Sequence, residues 1–379
     1  MYKRTIGYVS AVNPFEDRKA WSGSIYKIRE AISDAGFEVI WIPYKNNTVR
    51  VRMWNRIFRL YHKLTHKNLA YGIFFRPLVK EYAKSIRNNP DIEKCDFIFF
   101  PGFAHISEYC KIDKPIVFFS DASAFNMIDY YWKNCPKWYI KMSEELEYNA
   151  INRALINIRS SQWAADSIIK DGHFNADDTY VLEFGPNIDI ADIKRVTPYK
   201  DGELRILFSG VEWERKGGDI AVDAVRILRE KGIDAKLYIA GIQELPDYCQ
   251  KYDFIVNIGF LNKNIPEQYA EYIKMWKNMH LFLLPTKAEC SAIVFCEASA
   301  FGMPSYTYAT GGVPNYVVDG VNGRTCRLGE GPEVFAQKIY DDVTSGNLNK
   351  LYEGTKDISE SKLSWEAWSR RFHEIMSKY

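Results

Sequence analysis

The sequence predicts an α/β protein made of two doubly wound, Rossmann-like domains. Three observations carry this expectation. The chain has 379 residues, more than the ~100–200 that one domain usually holds. Short continuous apolar runs alternate along it with amphipathic stretches, and continuous apolar strands belong to parallel sheets covered on both faces. The alternation comes as two series on either side of a polar stretch, FGPNIDIADIKRVTPYKDGE at 184–203, as expected of two separately wound sheets.

The first series reads TIGYVS (5–10), EVIWIP (38–43), DFIFFP (96–101), PIVFFSD (115–121), ALINIRS (154–160) and YVLEF (180–184). The second reads LRILFSG (204–210), AKLYIAG (235–241), FIVNIGF (254–260), HLFLLPT (280–286) and PSYTYA (304–309). Helical patterns such as GSIYKIREAISDAG and DIAVDAVRILREKG lie between them, the latter ending in Lys-Gly, a helix stop. The last segment, SWEAWSRRFHEIMSKY (364–379), has an amphipathic helical pattern and is expected to pack back on the first domain. The expected domains are therefore 1–186 with 364–379, and 187–363.

Composition narrows the class. Hydrophobic residues make up 47% of the chain, as in a globular protein, and the formal net charge of +2 gives no global sign of a nucleic-acid partner. Aromatics reach 15%, with 25 Tyr and 10 Trp, a composition that fits contact with sugars or membrane surfaces. The seven cysteines, at 95, 110, 135, 249, 290, 296 and 326, are odd in number and show no metal-ligand spacing. They read as free thiols of a reducing cytosol. With no signal-like run at the N-terminus and no stretch near the ~20 apolar residues of a spanning helix, a cytoplasmic protein is expected, soluble or peripheral on the inner face of the cell membrane. His62 and His66 lack the Glu of a zinc motif, so no metal site is expected. His280 reads as structural, while His105, after FFPGFA, reads as a cleft residue.

One segment breaks the alternation. From Lys45 to Arg87 there are eleven Lys and Arg residues and a single acid, Glu81. Val51, Trp54, Ile57, Phe58, Tyr61 and Leu64 recur there at helical spacing. Two readings are open: a basic amphipathic helix on an anionic membrane, or a helix packed on the first domain with solvated bases around it.

The chemistry concentrates in ECSAIVFCE (289–297), which follows a buried strand and precedes a glycine stop. A helix must begin within it, with Ser291 as the expected N-cap. A helix N-terminus at the carboxyl end of a parallel strand offers N–H groups and positive dipole to a phosphate. The small residues Cys290, Ser291 and Ala292 would allow close approach, with Ile293 in the first turn. Glu289 and Glu297 would then flank a nucleotide diphosphate, although a loop charge and a half-buried helix residue would give the same spacing. LFSGVEWERKGGD (207–219) adds a second strand–glycine–loop unit, with Gly210 at the strand end and the adjacent cations Arg215 and Lys216 suited to pyrophosphate. A third turn, Thr310-Gly311-Gly312, follows the next strand.

In this order the segments FSGVEWERKGGD, YIAGIQ, IVNIGFLN, LFLLPTKAECSAIVFCEASAFGMPSYTYATGGVPNYV and DGVNG resemble the retaining group 1 glycosyltransferases of family 4. WSGSIYKIREAISDAGFEV, FFSDAS and SSQWAADSI resemble the family's first half more loosely. The resemblance implies a GT-B fold, with two Rossmann-like domains facing a cleft, acceptor bound by the first and donor by the second. It implies that Glu297 holds the ribose hydroxyls, and that Glu289 with the backbone of Cys290 to Ile293 holds the donor sugar and distal phosphate. Lys216 would bind the diphosphate, Gly23 would meet it from the first domain, and Gly241 and Gly259 would border the base. Asp121 falls where the family places a residue facing the transferring sugar, and Trp21, Ser24 and His105 are the acceptor-side candidates. The sequence departs from the family at Val211, where an Arg is common, at Ala292 in place of a glycine, and at Asn315 in place of an acid; Arg215 is the substitute cation.

The implied activity is transfer, with retention, of a sugar from a nucleotide diphosphate sugar to a glycan or lipid-linked acceptor, in the synthesis of cell-surface polysaccharide or glycoconjugate. Uridine diphosphate is the donor base by family frequency, with neither cofactor nor metal. Two other readings stay open: an epimerase or phosphorylase on the same fold, or a membrane- or nucleic-acid-binding protein using 45–87. The last leaves the 207–323 constellation without a role.

Overall fold

A computed structural model describes residues 3–69 and 72–379; the basic segment's residues 70 and 71 lie outside the described residues. The chain divides into two compact units, Met1–Leu182 with Trp368–Tyr379, and Glu183–Ala367.

The first unit holds β1 (Thr5–Ser10), β2 (Glu38–Pro43), β3 (Phe97–Pro101), β4 (Ile116–Ser120), β5 (Ile156–Arg159) and β6 (Thr179–Val181). They form one parallel sheet in the order β2-β1-β3-β4-β5-β6. β3, β4 and β5 are buried at every position, which is why they read as unbroken apolar runs. The C-terminal helix Trp365–Met376 supplies part of the cover. Within this unit Phe372 packs edge-on to Phe99 and Phe37, and Trp368 lies against Phe119. Arg371 donates to the Val181 carbonyl at 2.7 Å.

The second unit holds β7 (Leu204–Ser209), β8 (Ala235–Ala240), β9 (Ile255–Gly259), β10 (Leu281–Leu284), β11 (Ser305–Tyr308) and β12 (Gly323–Cys326). They too are parallel, in the order β12-β11-β10-β7-β8-β9. Read from the other edge this is the 3-2-1-4-5-6 order of dinucleotide-binding sheets. β12 is the strand the sequence reading missed. Its residues, Gly-Arg-Thr-Cys, hold no apolar run.

The unit boundaries depart from the expected 186/187 and 363/364. Residues 183–186 are drawn into the second unit: the Phe184 N–H donates to the Tyr316 hydroxyl at 3.3 Å, and Glu183 takes Asn315 Nδ2 at 2.7 Å and Lys362 Nζ at 3.1 Å. Trp365 goes with them, since its indole N–H donates to the Pro186 carbonyl at 2.9 Å.

The basic segment folds as two helices, Val49–Thr65 and Arg76–Lys84, rather than one. Thr48 caps the first by accepting the Val51 N–H at 3.3 Å. Of the six apolar residues named above, Val51 is buried, and Trp54 and Phe58 stack edge-on against Phe75 of the first unit. That face is part of the domain core.

Candidate donor site in the second unit

The second sheet reverses its winding between β7 and β10. Chains leaving two such neighbours turn to opposite faces of the sheet, so a crevice opens at their carboxyl ends. The charged residues of the sequence motifs lie on these two connections.

After β7 the chain passes Gly210, whose N–H donates to the Ala240 carbonyl at 3.0 Å, and enters a short helix, Trp213–Lys216. A Cβ at Gly210 would come within 2.9 Å of Lys216 Cγ. The missing side chain therefore lets the lysine stem cross the strand end. Lys216 is 9% exposed, and its ammonium is bonded to the Glu289 carboxylate. Arg215 reaches the same carboxylate oxygen at 3.3 Å and the Ala288 carbonyl at 2.9 Å, with Glu212 on its other edge at 2.8 Å. Backbone bonds join the loops. Lys287 N–H donates to Arg215 at 2.8 Å, and Gly312 N–H donates to Glu289 at 3.1 Å. The Thr310 hydroxyl donates to the Lys287 carbonyl at 3.3 Å. Glu289, Lys216 and Arg215, read from segments some seventy residues apart, thus meet in one cluster, and the Gly311-Gly312 turn closes on it.

The helix after Glu289 runs Ile293–Phe301, and the N-cap position is Ala292, without a side-chain cap. Ser291 is therefore not the cap: its side chain is engaged with the Tyr316 phenol instead. Cys290 and Ala292 are buried, and Ser291 and Ile293 are half-buried at the helix entrance. Val211, the position of the absent Arg, is 62% exposed and joins nothing in the cluster.

One and a half turns on, Glu297 is only 3% exposed. Its Oε2 accepts the Tyr272 hydroxyl at 2.6 Å and its Oε1 accepts Lys263 Nζ at 3.0 Å. Burial, and then the Glu297 charge, push the Tyr272 phenol well above its usual range, so it remains a donor. Sequence reasoning missed Tyr272 and Lys263. Tyr272 sits in an ordinary amphipathic helix, Pro266–Lys277, and nothing local marks it as the partner of a residue 25 positions away.

Gly241 and Gly259 close the ends of β8 and β9, joined by the Gly241 N–H to Gly259 carbonyl bond at 2.8 Å. Gly241 has φ +92°, and a Cβ there would lie 2.4 Å from the Gly210 carbonyl oxygen. Three glycines therefore meet at the ends of three adjacent strands, keeping that edge of the crevice clear of side chains.

The remaining candidates belong to the first unit. Trp21, Ser22 and Gly23 have φ values of 50°, 56° and 95°, a tight left-handed loop entering the helix Ser24–Asp34. Trp21 lies edge-on to Phe119 at 6.1 Å. Asp121 is half-buried just past β4, and its charge acts on Arg159, a fully buried guanidinium that burial lowers to about 10 against the pull of Glu147 and Asp121. Two of the acceptor-side candidates are buried. Ser24, the first helical residue, is 0% exposed, and His105 is 1% exposed. The turn at Gly102, φ +72°, sends the chain back under the sheet, where His105 packs against Phe74 and Phe103 and meets Glu147 at 3.1 Å. Neither side chain has surface to offer an acceptor. His280 is structural as expected, placed against Arg205.

Two parallel Rossmann-like sheets with a charged cluster at the second sheet's switch point define a protein of the GT-B class. Residues 189–353 match the family described as glycosyl transferases group 1. An uncharacterized glycosyltransferase of Methanocaldococcus jannaschii is 27% identical over 172 residues, 44% of this chain and 46% of the relative. The chain spans about half the length of the curated relatives it matches. Solved structures share the whole fold. A lipopolysaccharide outer core galactosyltransferase, WaaB, matches with TM-score 0.68 and 17% identity over 99% of this chain and 100% of its own. HepE of Anabaena, solved with UDP and glucose, matches with TM-score 0.62 and 14% identity over 100% of both chains.

Proposed function

We propose that the protein is a retaining glycosyltransferase that moves a sugar from a nucleotide diphosphate sugar to a glycan or lipid-linked acceptor. The observation that carries this reading is the convergence of Lys216, Arg215 and Glu289 at the switch point, beside the entrance of the helix that bears buried Glu297. The cations match a diphosphate, and a carboxylate with a second buried partner matches ribose hydroxyls.

In this reading the arriving diphosphate takes over Lys216 and Arg215 and frees Glu289 to orient the sugar hydroxyls. The acceptor oxygen then bonds to the anomeric carbon from the face the leaving group vacates. The carbon–phosphate oxygen bond breaks with its electron pair going to the diphosphate, and a phosphate oxygen receives the acceptor's proton. Lys216, Arg215 and the helix N-terminus meet charge where it develops. The chain's own cations are thereby assigned the role a metal could play. Gly241 and Gly259 border the base.

Uridine diphosphate is the nucleotide we assign; the solved relative with UDP and glucose supports it. Polysaccharide or glycoconjugate synthesis is the assigned context, supported by the lipopolysaccharide transferase of the same fold. We place the reaction in the cytoplasm, at the inner membrane face, in keeping with seven free cysteines. The test is calorimetric titration with uridine, guanosine and adenosine diphosphates, on the native protein and on Glu297→Ala. Micromolar binding of uridine diphosphate that a folded Glu297→Ala protein loses supports the reading; binding unchanged in the variant refutes it.

A further inference from the structure

The helix Val49–Thr65 carries a second apolar stripe, distinct from the face that enters the core. Val49, Met53, Ile57, Leu60 and Leu64 are 73%, 49%, 43%, 56% and 72% exposed. Their spacing of four, four, three and four keeps them within an arc of about 80° at 100° per residue. Val51, Trp54 and Phe58, which pack inward, lie on the other side of the helix. Five large apolar side chains in one contiguous outward row are not scattered surface residues and call for a partner.

The charges beside the row indicate which. Arg52, Arg56, Arg59 and Lys63 form a parallel row about a quarter turn away. Between Glu38 and Glu81 there is no acidic residue. Arg50 pairs with Glu81 at 3.5 Å and Arg52 donates to the Asn47 carbonyl. Among the described residues no carboxylate neutralises Arg52, Arg56, Arg59 or Lys63. Trp138, 47% exposed, stands edge-on to Tyr61 at 6.0 Å and adds an aromatic of the kind that settles at headgroup depth. No described helix is long and apolar enough to cross a membrane.

We propose that this outer stripe docks the first domain on an anionic phospholipid bilayer. The helix would lie in the interface plane, with Met53, Ile57, Leu60 and Leu64 below the headgroups and Arg52, Arg56, Arg59 and Lys63 extended to lipid phosphates. An apolar row flanked by unpaired cations is complementary to a surface that is apolar within and anionic at its rim. The sequence pattern left the helix open to either a core or a membrane; the fold gives each its own face. The inference is independent of the donor-site reading, because every residue in it lies outside the 204–323 constellation.

The test is flotation of the full chain with vesicles of phosphatidylcholine, with and without phosphatidylglycerol, at low and high salt. Binding should require phosphatidylglycerol and weaken as salt rises. Ile57→Asp with Leu60→Asp should weaken it about tenfold or more, and Arg52→Gln, Arg56→Gln, Arg59→Gln and Lys63→Gln together roughly a thousandfold at low salt. The second variant keeps the apolar row, so it remains informative where the first does not fold. Nucleotide titration of the second domain should be the same in all three proteins. The proposal is overturned by equal binding to both vesicle types, by binding that neither variant reduces, or by no binding at low salt. It is also overturned by a lipid-free dimer that Ile57→Asp with Leu60→Asp disperses, which would identify a second copy as the occupant.

Discussion

Tyr272→Phe isolates the grip on Glu297. The substitution removes one oxygen and keeps the ring, which stacks edge-on near Trp276 at 6.0 Å. What is lost is a 2.6 Å bond to a carboxylate that is 3% exposed. A hydrogen bond to a charged group contributes about 1.5–3 kcal/mol, and the buried oxygen left behind has no water to replace it. For a domain of this size, about 2 kcal/mol corresponds to a fall in Tm of roughly 4–8 °C. Lys263 remains, but its side chain is 35% exposed, and a pair open to solvent contributes about 1 kcal/mol or less. Glu297 would lose its fixed position, and uridine diphosphate affinity should fall about tenfold, equivalent to 1.4 kcal/mol. Thermal melting and calorimetric titration of the same preparation read both effects. A lower Tm with unchanged affinity would show that Glu297 is structural and not a nucleotide ligand. No change in either would show that the Tyr272 hydroxyl does not hold the carboxylate at all.

Glu289→Gln should leave the fold intact while slowing release of nucleotide from the sugar donor by about a hundredfold, the usual scale for losing one preorganised charge; a steady-state assay for free diphosphate measures it. Gly241→Ala should destabilise the second domain by about 1–3 kcal/mol, because φ is +92° and the new Cβ would meet the Gly210 oxygen at 2.4 Å. Gly259→Ala, with φ +77° and open space around it, should cost about 1 kcal/mol, and parallel denaturant curves compare the two. His280 makes stability depend on pH. Burial, reinforced by Arg205, lowers its imidazole to about 4 in the folded state. The unfolded chain then binds the proton more readily, so the contribution is complete above about pH 6.5 and is lost as pH falls toward 4. A loss on the order of 2 kcal/mol near pH 5 is expected, and His280→Gln should flatten it in urea titrations across that range.

Eleven of the strands were legible as apolar runs; eight of them lie inside their sheets, where burial on two sides removes the polar alternation that would confuse the pattern, and the edge strands β2, β6 and β9 are apolar although only half-buried. β12 was not, since Gly-Arg-Thr-Cys holds no apolar run. The cluster of Lys216, Arg215 and Glu289 was legible in part. Each residue followed an apolar run and a small-residue turn, and a parallel sheet places all such turns at one edge. That all three meet around a single carboxylate oxygen depended on β10 pairing with β7, a neighbour relation set by sheet order and not by local sequence.

Other features depended on tertiary contact alone. Ser291 had the chemistry of an N-cap, but the buried Tyr316 phenol took its side chain, and the helix began one residue later than a Ser291 cap requires. His105 looked like a cleft residue because it follows a strand end; the turn at Gly102 and the partner Glu147, 42 residues away, bring it inside instead. The helix Val49–Thr65 displays two apolar faces, and its sequence could not say which one the domain would cover. What the chain determined by itself was periodicity, helix stops and the order of its charged loops, because these follow from backbone geometry and from which residues water rejects. Which polar groups end up within 3 Å of one another was decided only on folding, since a hydrogen bond needs both partners in place and no local pattern records the distant one.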